Sequence, residues 1–233
     1  MTNHTVLHVS PEKEAAEILA ESGTIRAVIN LGNPVLARRE DDGSPGGITV
    51  RIARKIARHL DLELELIAIN HARDSFELLK QDKADIGFLA IDPQRSEHIA
   101  FSAPYITIEG TYLVASNSPV LKASDVDQTS LRIASSSGSA YDLHLQRTLT
   151  RVQIIAVPSF EESLELLRAG DVDAVAGIRQ ALASVSDTDA AWRVLPDGFM
   201  EIRQAVCVPK SKERAIGFLN KYLDSFAIST EDD

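Results

Sequence analysis

Two short segments carry side chains whose type and spacing could recognise an anion. The first is Asp92-Pro93-Gln94-Arg95, which follows the apolar run Ile86 to Ile91. An Asp-Pro pair starts a helix, with Asp92 as its cap and Pro93 in the first turn. Arg95 then stands within one turn of a strand end, where its planar fork could clamp a carboxylate through two parallel hydrogen bonds. An arginine on a solvated helix face has the same spacing, and spacing alone does not separate the two. The second segment is SSSGSAYD, Ser135 to Asp142, which follows a strand and opens a helix. Ser139 can cap that helix, and Gly138 lets the chain turn just before it. The free amides of the first turn carry partial positive charge and attract carboxylate or phosphate without any basic side chain. Short Gly/Ser loops of this kind also cap helices that bind nothing.

Patterns for covalent or metal chemistry are sparse. The chain has no Gly-x-Ser-x-Gly elbow, no His-Glu-x-x-His and no Gly-Lys-Ser/Thr loop. Its histidines, His4, His8, His59, His71, His98 and His144, form no ligand-spaced cluster. His4 and His8 share helical spacing but belong to a loose tail. His59 and His98 fall on helical segments as surface residues. His71 sits just past a strand end, where α/β proteins place ligands, although a plain loop histidine looks the same. The single cysteine, Cys207, excludes an internal disulfide and reads as a buried structural thiol. No metal and no cofactor are expected.

The elements that must position these residues follow an α/β pattern. Ser10-Pro11 opens a short helix with Ala15, Ala16, Ile18 and Leu19 on its apolar face, and Thr24 to Asn30 reads as a buried strand. Arg39 to Gly47 is a turn. Ile48, Ile52, Ile56 and Leu60 recur every four residues as an amphipathic helix, and Leu62, Leu64 and Leu66 alternate with Glu63 and Glu65 as a half-exposed strand. Residues 78–89, LLKQDKADIGFL, resemble residues 166–177, LLRAGDVDAVAG, so that Asp85 and Asp173 correspond. Each is the end of a helix, a turn and a buried strand, which points to two α/β lobes of similar design. Ser102 to Pro104 reads as a loop and Tyr105 to Ala115 as a strand. Leu131 to Ala134 and Val152 to Val157 are further strands, with helices over 140–149 and 161–169. Residues 183–198 are loop-rich, Arg203 to Val208 is a strand, and Ile216, Leu219, Leu223 and Phe226 form a closing helix. The acidic end, Glu231 to Asp233, is expected to fray.

Composition limits the function classes. The 233 residues are 44% hydrophobic and 25% charged, ordinary for a globular protein, and the net charge is −10. So acidic a chain is a poor binder of nucleic acid or anionic membrane. No run approaches the ~20 apolar residues of a membrane span. Glu12, Lys13, Glu14 and Glu17 occupy the place of a signal peptide's apolar region. Either a signal has been removed or the protein stays in the cytoplasm.

Taken together, these segments resemble the family 3 extracellular solute-binding proteins, the amino-acid-binding components of ABC importers. The likeness runs from about Thr24 to Phe226. It is carried by INLGNPVLAR, GGITVRIARKIARHL, LLKQDKADIGFL, GSAYD and VDAVAG, and most specifically by DPQRSEHIAFSAPY, Asp92 to Tyr105. The resemblance implies a type II periplasmic binding protein fold: α/β, with two Rossmann-like lobes joined by a two-strand hinge. Residues 1–112 with 204–233 would form one lobe and 113–203 the other, with crossings near Gly110 to Val114 and Ala205 to Val208. It implies that Arg95 pairs with a ligand α-carboxylate, helped by backbone amides at Ser139. Phe88 and Gly138 belong to the same implied cleft.

Departures from the family pattern bear on the ligand. The acid that receives the α-amino group falls on Ile178, followed by Arg179. The hydroxyl that also holds the amine falls on Ala90, and the stacking aromatics fall on Asn33 and Ala72. An ammonium left unpaired in a closed cleft is costly. The expected ligand is therefore a small carboxylate, or an amino acid held differently, by Asp92 or Glu109, with Arg179 free to meet a second anionic group. The leading expectation is a noncatalytic monomeric binding protein, periplasmic or extracellular by resemblance. Its partners would be a small carboxylate ligand and the membrane subunits of an ABC transporter or a sensor. The alternatives are a dehydratase-like enzyme on the same fold, with Glu109 and His71 as candidate acids, and a cytoplasmic or sensory ligand-binding module.

Overall fold

The computed structural model describes residues 10–128 and 130–225. His4, His8, Phe226 and the acidic end of the chain lie outside the described residues.

The first half alternates helix and strand. Helix α1 (Pro11–Leu19) is capped by the Ser10 side chain, which accepts a hydrogen bond from the Lys13 amide, and it buries Ala15 and Leu19. Strand β1 (Thr24–Asn30) follows. The turn before the next helix is closed by a small antiparallel ribbon, β2 (Arg38–Arg39) with β3 (Pro45–Gly46), which sequence patterning did not show. Helix α2 (Ile48–His59) buries the face marked by Ile48, Ile52 and Ile56. Next come β4 (Glu63–Ile69), α3 (Ala72–Lys80) and β5 (Ile86–Ala90), then the single turn α4 (Pro93–Ser96). Strand β4 alternates between exposed and half-buried residues, as the Leu/Glu alternation requires, because it is an edge strand.

Strand β6 (Ile99–Ala115) runs unbroken through the segment read from sequence as a Ser102–Pro104 loop. Pro104 is tolerated because this stretch pairs on one side only, with a register shift opposite it. The second half continues with β7 (Arg132–Ser136), α5 (Ala140–Thr148), β8 (Gln153–Val157), α6 (Phe160–Ala169) and β9 (Ala174–Ile178). The region expected to be loop-rich holds α7 (Arg179–Ser186) and β10 (Trp192–Val194). Helix α7 lacks a side-chain cap, the usual local sign of a helix start, and is held by the buried Leu182 instead. Strand β11 (Met200–Pro209) and helix α8 (Ile216–Asp224) close the described chain.

Among the described residues these strands form one nine-stranded sheet in the order β4-β1-β5-β11-β6-β9-β7-β8, with β10 added beside β6. Strands β4, β1 and β5 are parallel, as are β9, β7 and β8. The antiparallel strands β6 and β11 join the two sets, with Gln204 opposite Ala90 and Gly110 opposite Ile178.

The repeat visible in sequence has a physical counterpart. In the first copy the Asp85 carboxylate accepts from the Arg26 amide, Nε and Nη2, while Arg26 Nη2 also reaches the Asp82 carbonyl. In the second copy Asp173 accepts from the same three groups of Arg132, and Arg132 Nη2 reaches the Gly170 carbonyl. One carboxylate thus clips each helix-turn-strand unit to its neighbouring parallel strand. The copies differ in surroundings, because Asp85 is buried and also receives the Lys212 ammonium.

Candidate functional site

A cavity of about 400 Å³ lies between the carboxyl end of β1, the start of α3 and the end of β5 on one side, and the starts of α5 and α6 on the other. Its walls contain both anion-recognition segments singled out above.

Arg95 is 3% exposed and lines this cavity. The Asp92 side chain accepts from the Gln94 and Arg95 amides, as an N-cap must, and this aims the Arg95 side chain inward from the one-turn helix. Arg95 Nη1 donates to the Ala90 carbonyl at 3.2 Å, and Nη2 crosses to the Gly138 carbonyl at 2.8 Å. Among the described residues no carboxylate lies within ion-pair distance of this guanidinium. Burial lowers the Arg95 pKa from its ordinary value, with neighbouring Asp92 acting against the shift. The site therefore holds a buried cation with unused N–H donors, an arrangement that favours an incoming anion.

The serine loop faces it. Ser139 caps α5 by accepting from the Asp142 amide. The buried Asp142 accepts from Ser135 Oγ at 2.6 Å, from the Gly138 amide at 2.8 Å and from Gln146 Nε2 at 3.0 Å, which holds the loop in shape. The Ser139 amide is already spent on the Ser136 carbonyl. The amides of Ala140 and Tyr141, first in the helix, have no intrahelical acceptor and belong to cavity-lining residues.

Of the remaining expected site residues, Asn33, Ala72, Phe88, Ala90, Ser139 and Ile178 all line the cavity. Gly138 does not; it lines an adjoining space, together with Arg95, Arg73 and Leu143. Asp92, Glu109 and Arg179 also lie off the cavity. Asp92 pairs with Arg147 Nη2 at 2.8 Å, a link between α4 and α5 in which the Asp92 side chain is 4% exposed. Glu109 and Arg179 pair with one another, and Arg179 also donates to the carbonyls of Leu195 and Pro196. Neither acid is free for an ammonium, and Arg179 is not free for a second anion, because short tertiary contacts have already neutralised them. His71, at the start of α3, does line the cavity. Sequence reasoning missed Asn70, Glu161 and Gln204, polar residues in a loop, a first helical turn and a strand with no motif of their own; Asn30 and Tyr141, which also line the cavity, lie within INLGNPVLAR and GSAYD.

Gly138 has φ +71°, and a Cβ there would stand 2.9 Å from the Arg73 Cβ. Gly138→Ala is expected to cost about 1–2 kcal/mol, because left-handed backbone disfavours a side chain, and to lower Tm by about 2–8 °C for a chain of this size. It should also weaken ligand binding by displacing the carbonyl that orients Arg95. Gly217→Ala, on α8 with open space around it, should raise Tm, since alanine is the better helix former. Melting curves of the two variants check both directions.

Residues 25–227 match the model of the bacterial extracellular solute-binding proteins, family 3, and the chain belongs to this family. The L-cystine-binding protein TcyJ of Escherichia coli (strain K12) is 25% identical over 204 residues, which cover 86% of this chain and 76% of that protein. Among solved structures, the arginine-bound form of truncated ArgBP from T. maritima superposes with a TM-score of 0.76 at 19% identity, covering 90% of this chain and 98% of that one. The ancestral amino acid-binding protein AncCDT-1, a precursor of cyclohexadienyl dehydratase, gives a TM-score of 0.73 at 20% identity over 91% and 92% of the two chains. The fold they share is the type II periplasmic binding protein fold, mixed α/β around a central sheet. Among the described residues no helix is long and apolar enough to cross a membrane.

Proposed function

We propose that this protein captures a small carboxylate-bearing solute, an amino acid or a related organic acid, and delivers it to the membrane subunits of an ABC-type importer outside the cytoplasm. The observation that carries the reading is the buried Arg95 guanidinium, which faces the cavity and, among the described residues, has no carboxylate within ion-pair distance. The ligand's carboxylate would take the unused donors of Arg95 and the first-turn amides of α5. A cavity of about 400 Å³ suits a ligand of amino-acid size. Residues 1–112 with 204–233 and residues 113–203 act as two lobes hinged on β6 and β11, and a ligand touching both stabilises the closed form. Family membership, and relatives named for binding cystine and arginine, support an amino acid as the solute class.

The test is a thermal-shift panel containing L-cystine, L-glutamine and L-arginine, each beside the same acid lacking its α-amino group, with keto acids and dicarboxylates. A true ligand at about 100 times its Kd should add about 2.7 kcal/mol, or about 5–10 °C. A flat panel would overturn the carboxylate reading.

A further inference from the structure

If the ligand carries an ammonium group as well as a carboxylate, that charge needs a partner inside the cleft. The position that supplies it by family resemblance holds Ile178, whose side chain is apolar. Asp92 is consumed by Arg147 and by the helix cap, and Glu109 by Arg179. The cavity nevertheless has one carboxylate of its own, because among its described lining residues Glu161 is the sole acid, just as Arg95 is the sole arginine or lysine. The two charges approach from opposite walls, Arg95 from α4 and Glu161 from the first turn of α6. The Glu161 side chain makes no hydrogen bond or ion pair among the described residues. Glu161 lines the cavity together with Tyr141, whose hydroxyl donates to Ser136 Oγ in the serine loop; burial, and to a lesser extent the Glu161 charge, raise the Tyr141 pKa.

We infer that Glu161 receives a protonated amine of the ligand, so that the cleft selects zwitterions over simple carboxylates by a residue on α6 rather than one at the end of β9. This rests on the carboxylate reading above. The cleft is then charge-complementary, with a buried cation fixed at one end and an acid at the other whose pairing is completed only by the ligand. A residue that merely stabilised the α6 N-terminus would affect melting of the ligand-free protein and would not distinguish one ligand from another.

The experiment compares wild type with Glu161→Gln against each amino acid of the panel and its counterpart without the α-amino group, by calorimetry, together with the melting temperature of each ligand-free protein. Wild type is expected to prefer the amino acid, Glu161→Gln to lose about 10- to 100-fold in affinity for it, and affinity for the counterpart to stay unchanged. The difference between the two ligands isolates the pair. If wild type binds the counterparts as tightly as the amino acids, or if Glu161→Gln keeps the wild-type preference, the assignment of Glu161 is overturned while the carboxylate site stands. If no carboxylate of either kind binds wild type, both fall.

Discussion

Arg95→Met is expected to abolish the thermal shift produced by any carboxylate ligand while leaving the ligand-free protein at least as stable as wild type. The two effects have opposite signs for one reason. Arg95 is buried, and among the described residues it donates to the carbonyls of Ala90 and Gly138 and meets no carboxylate at ion-pair distance. A desolvated charge without a counter-ion opposes folding, and methionine fills a similar volume without that penalty. On the proposed function, ligand binding would reverse the balance, because the ligand's carboxylate would supply the missing charge. Removing one member of such a buried pair costs about 2–5 kcal/mol, or about 30- to 5000-fold in Kd. Arg95→Lys should rescue little of this, since a point charge cannot reproduce the fork that holds two carbonyls and a carboxylate at once. Titration calorimetry and melting curves on the same samples read both signs. Undiminished affinity in Arg95→Met, or a large fall in its ligand-free Tm, would contradict the role given to Arg95.

The largest loss of stability is expected from Asp85→Asn, far from the cleft. Asp85 is 2% exposed and ties β5 to β1 through Arg26 and to the segment before α8 through Lys212. Lys212 in turn donates to the Leu19 carbonyl at the end of α1. Removing the carboxylate strands two cations, at a cost of about 3–5 kcal/mol, which corresponds to a Tm lower by about 6–20 °C. The same change at Asp173 should matter much less, because its side chain is 37% exposed and water replaces the lost partner. The pH dependence has a definite sign. Burial pushes the Asp85 carboxyl upward, but hydrogen bonds from Arg26 and Lys212 outweigh it and hold the group below its ordinary value. A carboxyl depressed in the folded state contributes stability that is fully present above its unfolded value of about 4 and is lost as pH falls through the folded value. Wild type should therefore lose stability in acid more steeply than Asp85→Asn. Equal slopes below about pH 4 would show that the Asp85 pairings do not set acid stability.

Cys207 is fully buried, as its place in an apolar strand suggests, and burial pushes its thiol up to about 12. It is inert at neutral pH.

What this chain's sequence determines by itself is whatever is decided over a few neighbouring residues. The buried strand Thr24–Asn30, the Asp92 cap with Pro93 behind it, the Ser139 cap and the amphipathic face of α2 are all local, and each stands where periodicity and capping chemistry put it. The clip at Asp85 and its copy at Asp173 were legible as a repeat because equivalent turns need equivalent residues. Tertiary structure alone decided which polar groups remain free. Arg95 reaches an acceptor 43 residues away, and Arg179 pairs with an acid 70 residues away. No local rule states that Asp92 and Glu109 are neutralised by such partners while Glu161, among the described residues, is not. The physical reason is that a charge's availability depends on what the folded chain brings within a few ångströms of it, and Coulomb pairing at that range ignores distance along the chain. The helix caps and loops that frame the cavity were therefore readable in sequence, and Glu161 as the one acid among its described lining residues emerged only once the chain had folded.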